Sequence, residues 1–162
     1  MLLLASLIAC TGTDVDSGGG DSAVEEELPT GPGTLALSFR MDGDYIATMA
    51  EDGQIPVGTF GGSIYAEADA TGLGPNDGAV SLADFSVSGI DLTVDGGPTG
   101  VLFRSDPLEP QIVWILGCLD VDDPADGCGD VGDPITIPNE NKAQVAAESE
   151  TPVEVYMGMI RP

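Results

Sequence analysis

The chain has 162 residues, of which 28 are acidic, four are basic and none is histidine, giving a formal net charge of −24. Such a surface repels polyphosphates, so nucleic acid is excluded as a partner, and direct adsorption to anionic lipid is disfavoured. Without histidine the chain cannot assemble Ser-His-Asp or Cys-His catalysis by itself, and its three cysteines cannot make a structural zinc site, which takes four N or S ligands. The length suits one domain. A hydrophobic fraction of 42% is enough for a core, and 23 glycines with 12 prolines suit short strands joined by turns.

Residues Met1 to Ala9 are apolar and small, and Cys10 follows. The run is too short to span a bilayer, which needs ~20 residues, but it has the character of a signal-peptide hydrophobic region. The tetrapeptide Leu7-Ile8-Ala9-Cys10 resembles a bacterial lipobox, although no lysine or arginine precedes the run. The resemblance implies a signal peptide over 1–9, a diacylglycerol thioether and further acylation, such as palmitate, on Cys10, and a membrane anchor through that lipid. Residues 11–33 hold many glycines, six acids and few large apolar groups. They cannot bury enough surface to offset their ordering entropy, so 10–33 is expected to be an anchored, flexible leash of about 25–30 Å reach. Thr11, rather than aspartate, follows the cysteine. By resemblance to Gram-negative sorting rules this points to the outer membrane, with either face possible.

The domain is expected over 34–162. Leu35, Leu37, Phe39 and Met41 alternate with Ala36, Ser38 and Arg40, the period of a half-buried strand. Asp42-Gly43-Asp44 reads as a turn, with Tyr45 to Met49 returning as a hairpin partner. Val57 to Ala70 is strand-like, its glycines 58, 61 and 62 marking bends or close backbone approach. From Val80 to Val94 the apolar phase switches: Phe85 and Val87 hold one phase, Ile90, Leu92 and Val94 the other. A β-bulge at Ser88-Gly89 would turn both sets to the core. Val101 to Phe103 is a short strand. Ile112 to Leu116 is continuously apolar and reads as a central strand, with Trp114 and Phe103 in the core. Ile135 to Ile137 and Val153 to Ile160 are further strands, the latter presenting Val153, Val155, Met157 and Met159 to one side; Asn141 to Ser149 suits a helical turn or a strand. The fold class is all-β, a single sandwich of about seven to nine strands.

The densest chemical feature runs from Cys118 to Asp133 and holds Asp120, Asp122, Asp123, Asp126, Asp130 and Asp133. Carboxylate oxygens are the donors Ca²⁺ takes, six to eight at a time. Asp122, Asp126, Gly127, Asp130 and Asp133 fall at positions one, five, six, nine and twelve of an EF-hand count, but Pro124 sits at position three and no flanking helices are expected. The loop is therefore not an EF-hand. Two readings stand: a calcium loop of another kind, and a solvated acidic turn. Cys118 and Cys128 flank the aspartates and remain as a pair once Cys10 is given to lipid. In an oxidising compartment they are expected to be bonded, a link worth roughly 2.5–3 kcal/mol before strain.

The segment Trp114-Ile115-Leu116-Gly117-Cys118-Leu119-Asp120-Val121-Asp122, then Gly132-Asp133-Pro134-Ile135-Thr136-Ile137-Pro138 and a closing strand, resembles uncharacterised lipoproteins of myxobacteria and their relatives, with transthyretin-like or carboxypeptidase-regulatory-like β-sandwiches. The resemblance covers about residues 100–160 and implies an accessory domain without catalysis. The expected function is a lipid-anchored, non-enzymatic envelope protein with a binding, adhesion or structural role. It would need no cofactor, with Ca²⁺ the one candidate, and would meet a protein or glycan partner that the residues do not name. The alternative is a carboxylate-dependent envelope enzyme or a subunit of one, although nothing selects a pair among so many acids.

Overall fold

A computed structural model describes residues 29–93, 98–121 and 132–159. Among them are ten strands and one α-helix, in the order β1 (Thr34–Met41), α1 (Gly43–Glu51), β2 (Val57–Ala66), a 3₁₀ turn (Glu67–Asp69), β3 (Ala70–Thr71), β4 (Gly74–Pro75), β5 (Ala83–Asp91), β6 (Phe103–Arg104), β7 (Ile112–Asp120), β8 (Pro134–Thr136), β9 (Lys142–Gln144) and β10 (Glu150–Met159). Eight strands form one sheet in the order β5-β2-β7-β8-β10-β1-β6, with β9 also paired to β7; β3 and β4 make a separate small hairpin. The sheet curls until its two outermost strands meet, giving an all-β sandwich around one core.

Alternation in β1 does what period two requires: Leu35, Leu37, Phe39 and Met41 are all buried. β1 pairs in parallel with β10, Thr34 opposite Glu150 and Met41 opposite Met157, which seats Val155 and Met157 in the same core. β7 is central, lying between β2 on one side and β8 and β9 on the other. The bulge is present. Gly58 faces Ile90 and Thr59 faces Ser88, so Gly89 is the extra residue. Its φ of +72° is one glycine adopts without steric cost. Val87 before it and Ile90 and Leu92 after it are all buried.

Tyr45 to Met49 is not a hairpin partner. It lies in α1, where Tyr45, Ile46 and Met49 stand at helical spacing and pack on the core. The Asp42-Gly43-Asp44 turn expected to reverse a strand instead opens this helix. The Asp42 carbonyl accepts from the Tyr45 and Ile46 N–H groups. At the other end the Gly53 N–H donates to Ala50 and the Gln54 N–H to Met49. With Gly53 at φ +77° this is a Schellman stop. Other boundaries also shift. β2 ends at Ala66, where the 3₁₀ turn begins; β5 spans Ala83–Asp91, and Val94 lies outside the described residues. Asn141 to Ser149 contributes β9 and then a turn. Beyond the two residues of β6, its flanks continue along β1, with N–H groups of Thr99, Leu102 and Ser105 donating to Phe39, Leu37 and Leu35.

Two packing devices set the shape. All four phenylalanines of the chain form one run of ring contacts: Phe39 to Phe60 at 4.9 Å between centroids, Phe60 to Phe85 at 5.7 Å, and Phe85 to Phe103 stacked at 4.3 Å. The run crosses from β1 to β2 to β5 and back to β6. Beneath it, Gly62 and Gly117 face each other across β2 and β7. A Cβ on Gly117 would overlap the Gly61 carbonyl oxygen and sit 2.5 Å from Phe60 Cζ. One on Gly62 would overlap the Phe60 ring. The paired glycines are the floor on which that ring lies.

Candidate functional site

The sheet has two chemically different ends. Along β10, Thr34 of β1 aligns with Glu150, whereas Cys118 of β7 reaches Gly158 through Ile135 of β8. Those positions are eight residues apart on β10, about 26 Å at ~3.3 Å per residue. The described chain therefore enters at one end, and the two stems of the aspartate-rich segment stand at the other.

At the entry side, the Gly33 N–H donates to the Leu108 carbonyl, and the Gly33 carbonyl accepts from the Leu108 N–H. Gly31 and Glu148 bond reciprocally, with the Glu148 N–H donating to the Gly31 carbonyl and the Glu148 carboxylate accepting from the Gly31 N–H. Glu148 adopts φ +52°, uncommon for a residue with a side chain. A shallow cleft of about 330 Å³ lies beside it, lined by Pro32, Gly33, Thr34, Pro107, Glu148, Ser149 and Glu150. It carries two carboxylates, and the Glu150 carboxylate is held by Arg104 at 2.7 Å.

At the opposite end Asp120 closes β7 and Asp133 precedes β8; both are buried, at 7% and 2% exposure. Asp133 Oδ1 accepts the Val121 N–H at 3.4 Å, a long bond that joins the two stems. Gly58 comes so close to the Asp120 carbonyl that a Cβ there would overlap it, and Gly132, at φ +119°, lies against Gln54. Cys118 is buried in β7. Asp122, Asp123, Asp126, Asp130 and Cys128 lie outside the described residues, as does Cys10. Among the described residues no three of the cysteine, aspartate and glutamate side chains converge as a metal would need. Of the six candidate ligands the described structure thus positions Asp120 and Asp133.

The basic side chains are consumed in clamps between distant segments. Arg40 Nη1 donates to Glu154 at 3.2 Å and to the Tyr156 hydroxyl at 3.2 Å, and its guanidinium lies over the Tyr156 ring. The bond to Glu154 raises the Arg40 pKa above its ordinary value. Arg104 pairs with Glu150, and Lys142 with Glu67 while standing over Trp114. Arg40 also lies 3.8 Å from Asp42, so each described cation faces at least one carboxylate.

Trp114 and Phe103 are structural. Trp114 is buried, and Phe103 packs against the core through Phe85. A residue that no sequence signal marks is Asn141, 1% exposed in the gap between β8 and β9. Its backbone carbonyl accepts the Ile115 N–H, its Oδ1 accepts the Tyr156 N–H at 2.7 Å, and its Nδ2 donates to Ile137 and Tyr156 carbonyls. Asn141 thus ties β7 to β10 beyond the end of β8, through its backbone carbonyl on one side and its side chain on the other.

The chain matches no family model, no curated protein and no solved structure. No helix among the described residues is long and apolar enough to cross a membrane.

Proposed function

We propose that this protein is a lipid-anchored, non-enzymatic β-sandwich of the bacterial envelope, held to the outer membrane through Cys10 and serving a binding, adhesion or structural role. The observation that carries the reading is the tetrapeptide Leu7-Ile8-Ala9-Cys10, placed between an apolar run and a polar, glycine-rich linker. The similarity to myxobacterial lipoproteins with transthyretin-like sandwiches belongs to the same reading. The architecture agrees with it: the chain enters the sandwich at one end, so a tether there would turn the stems of the aspartate-rich segment away from the membrane.

The same reading pairs Cys118 with Cys128 and gives the segment from Asp120 to Asp133 a weak calcium site, with an affinity of about 10⁻⁴–10⁻³ M typical of extracellular modules. Asp120 and Asp133, buried at the two stems, support it by bringing the ends of the segment together.

The test is fractionation of cells making the full chain or its Cys10→Ser variant. The unmodified chain is expected in the detergent-soluble membrane fraction and the variant outside it. A variant that still needs detergent would overturn the anchor. For the loop, melting in EDTA against millimolar Ca²⁺, with Mg²⁺ as control, should show a rise with Ca²⁺ alone that Asp133→Asn abolishes.

A further inference from the structure

The curled sheet is hydrogen-bonded from β5 round to β6, and between those two strands it is not. No backbone hydrogen bond joins them among the described residues; the stacked rings of Phe85 and Phe103 make the contact instead. β5 is therefore an edge strand. One side of it is paired to β2, and no described strand pairs with the other. An edge strand presents a row of N–H and C=O groups that template the addition of another extended chain. The Gly89 bulge limits the regular stretch to Ala83–Ser88, six residues and the length of a usual added strand.

The side chains along this edge alternate cleanly. Asp84, Ser86 and Ser88 are exposed, while Phe85 and Val87 turn inward. Val80 and Leu82 lead into β5, and Val101 and Leu102 lead into β6; all four are exposed, and they are four of the seven large apolar residues the described surface leaves open. An incoming segment would find apolar contacts at the lips of the seam and backbone partners along it.

Charge selects the occupant. With a net charge of −24, a second copy of the chain brings its own acids to the same edge and is repelled. Asp84 and Asp91 stand exposed on β5, and the described arginines and lysine are committed to Glu154, Glu150 and Glu67. We propose that the β5 edge is a strand-addition site for an extended, cationic polypeptide whose residues alternate basic and apolar. This gives the binding role proposed above a partner and rests on that reading, but not on the lipid anchor.

The experiment uses the purified full chain and three octapeptides: alternating Lys-Val, alternating Glu-Val, and Lys-Val with alternate backbone amides N-methylated. Affinity is followed by fluorescence anisotropy and the site by amide hydrogen exchange. The Lys-Val peptide should bind, slow exchange within Ala83–Ser88, and weaken at least tenfold between low and high salt. The Glu-Val and N-methylated peptides should each bind at least tenfold more weakly. Asp84→Asn with Asp91→Asn should weaken Lys-Val binding at least threefold while leaving the circular dichroism unchanged. The proposal is overturned by absence of binding at millimolar peptide, by equal binding of the N-methylated peptide, or by protection outside β5. Amides of Ala83–Ser88 that are all protected before peptide is added would overturn it too, since the edge would then be occupied by the chain itself. Failure on any of these leaves the Cys10 fractionation result standing, so the partner and the anchor fail separately.

Discussion

The centre of the sheet and its seam are held by different forces. At the centre, β2 and β7 pair over eight residues each, from Thr59 opposite Asp120 to Ala66 opposite Val113, and Phe60 lies flat on facing glycines. At the seam, β5 and β6 have no ladder between them and meet through two phenylalanine rings. The centre combines directional hydrogen bonds with a fit that has no spare volume, so it should tolerate almost no change in shape. The seam rests on a stacked pair of partly buried rings, so it should open locally before the rest unfolds.

The largest effect is expected where the two regions share a residue. Phe60 touches Phe39 on one side and Phe85 on the other and is fully buried. Phe60→Ala removes the ring that links β2 to both halves of the core and should cost about 3–5 kcal/mol in urea unfolding, with the transition still cooperative. A loss under about 1 kcal/mol would mean that the ring run does not organise the core. Next comes the centre alone. Gly117→Ala adds one methyl against the Gly61 carbonyl and the Phe60 ring, and neither a backbone atom nor a clamped ring can yield. Overpacking of this kind should cost about 2–3 kcal/mol. The double substitution Phe60→Ala with Gly117→Ala should recover part of that cost, because the first makes room for the second; additive losses would remove Phe60 from the explanation.

The all-β class, the central strand Ile112–Leu116 and the bulge were legible because each rests on local pattern: a run bounded by turns, or a phase switch at a glycine. Tyr45 to Met49 was misread for a physical reason. Three apolar residues in five fit alternation and helical spacing about equally, and the Gly53 stop that decides between them reads as an ordinary turn signal in the sequence. Glycines 58, 61 and 62 could be read as bends or places of close approach, but not what approaches them: Gly117, which faces Gly62 beneath the Phe60 ring, is far away in the chain. Asn141 was illegible altogether, because its role depends on a gap between β8 and β9 that the topology alone creates. Of the acidic segment, only the burial of its two stems, Asp120 and Asp133, is added to what the residues already suggested.

A smaller effect should come from the seam itself. Phe103→Ala removes one ring of the stacked pair while leaving the hydrogen bonds of 99–105 to β1 in place. The expected cost is about 1.5 kcal/mol. More telling than its size is where it falls. Exchange should quicken in β5 and β6 and stay unchanged in β2 and β7. Uniform acceleration through all four strands would show that seam and centre open as one unit, and the contrast between them would be lost.

The smallest effect, and the finest test of the same contrast, lies in two exposed carboxylates of β5. The Ser63 hydroxyl on β2 donates to Asp84 and lowers its pKa, with Ser81 adding to the shift; the Thr93 hydroxyl, then its N–H, does the same for Asp91. A carboxyl whose folded pKa is depressed contributes stability above its unfolded value, near pH ~4, and loses that contribution as pH falls through the lower folded value. The two bonds differ in what folding changes. Asp91 and Thr93 are two residues apart, so their contact partly survives in the unfolded chain and cancels from the difference. Asp84 and Ser63 are 21 residues apart and meet only when β5 is paired with β2. NMR titration should therefore show both carboxyls below the ordinary aspartate range, with Ser63→Ala raising Asp84 and Thr93→Val raising Asp91. In thermal melts at pH 7 and pH 3, Ser63→Ala should narrow the gap in melting temperature, whereas Thr93→Val should leave it close to that of the unmodified chain. If the two variants narrow the gap equally, the pairing of β5 with β2 contributes nothing that a local turn does not.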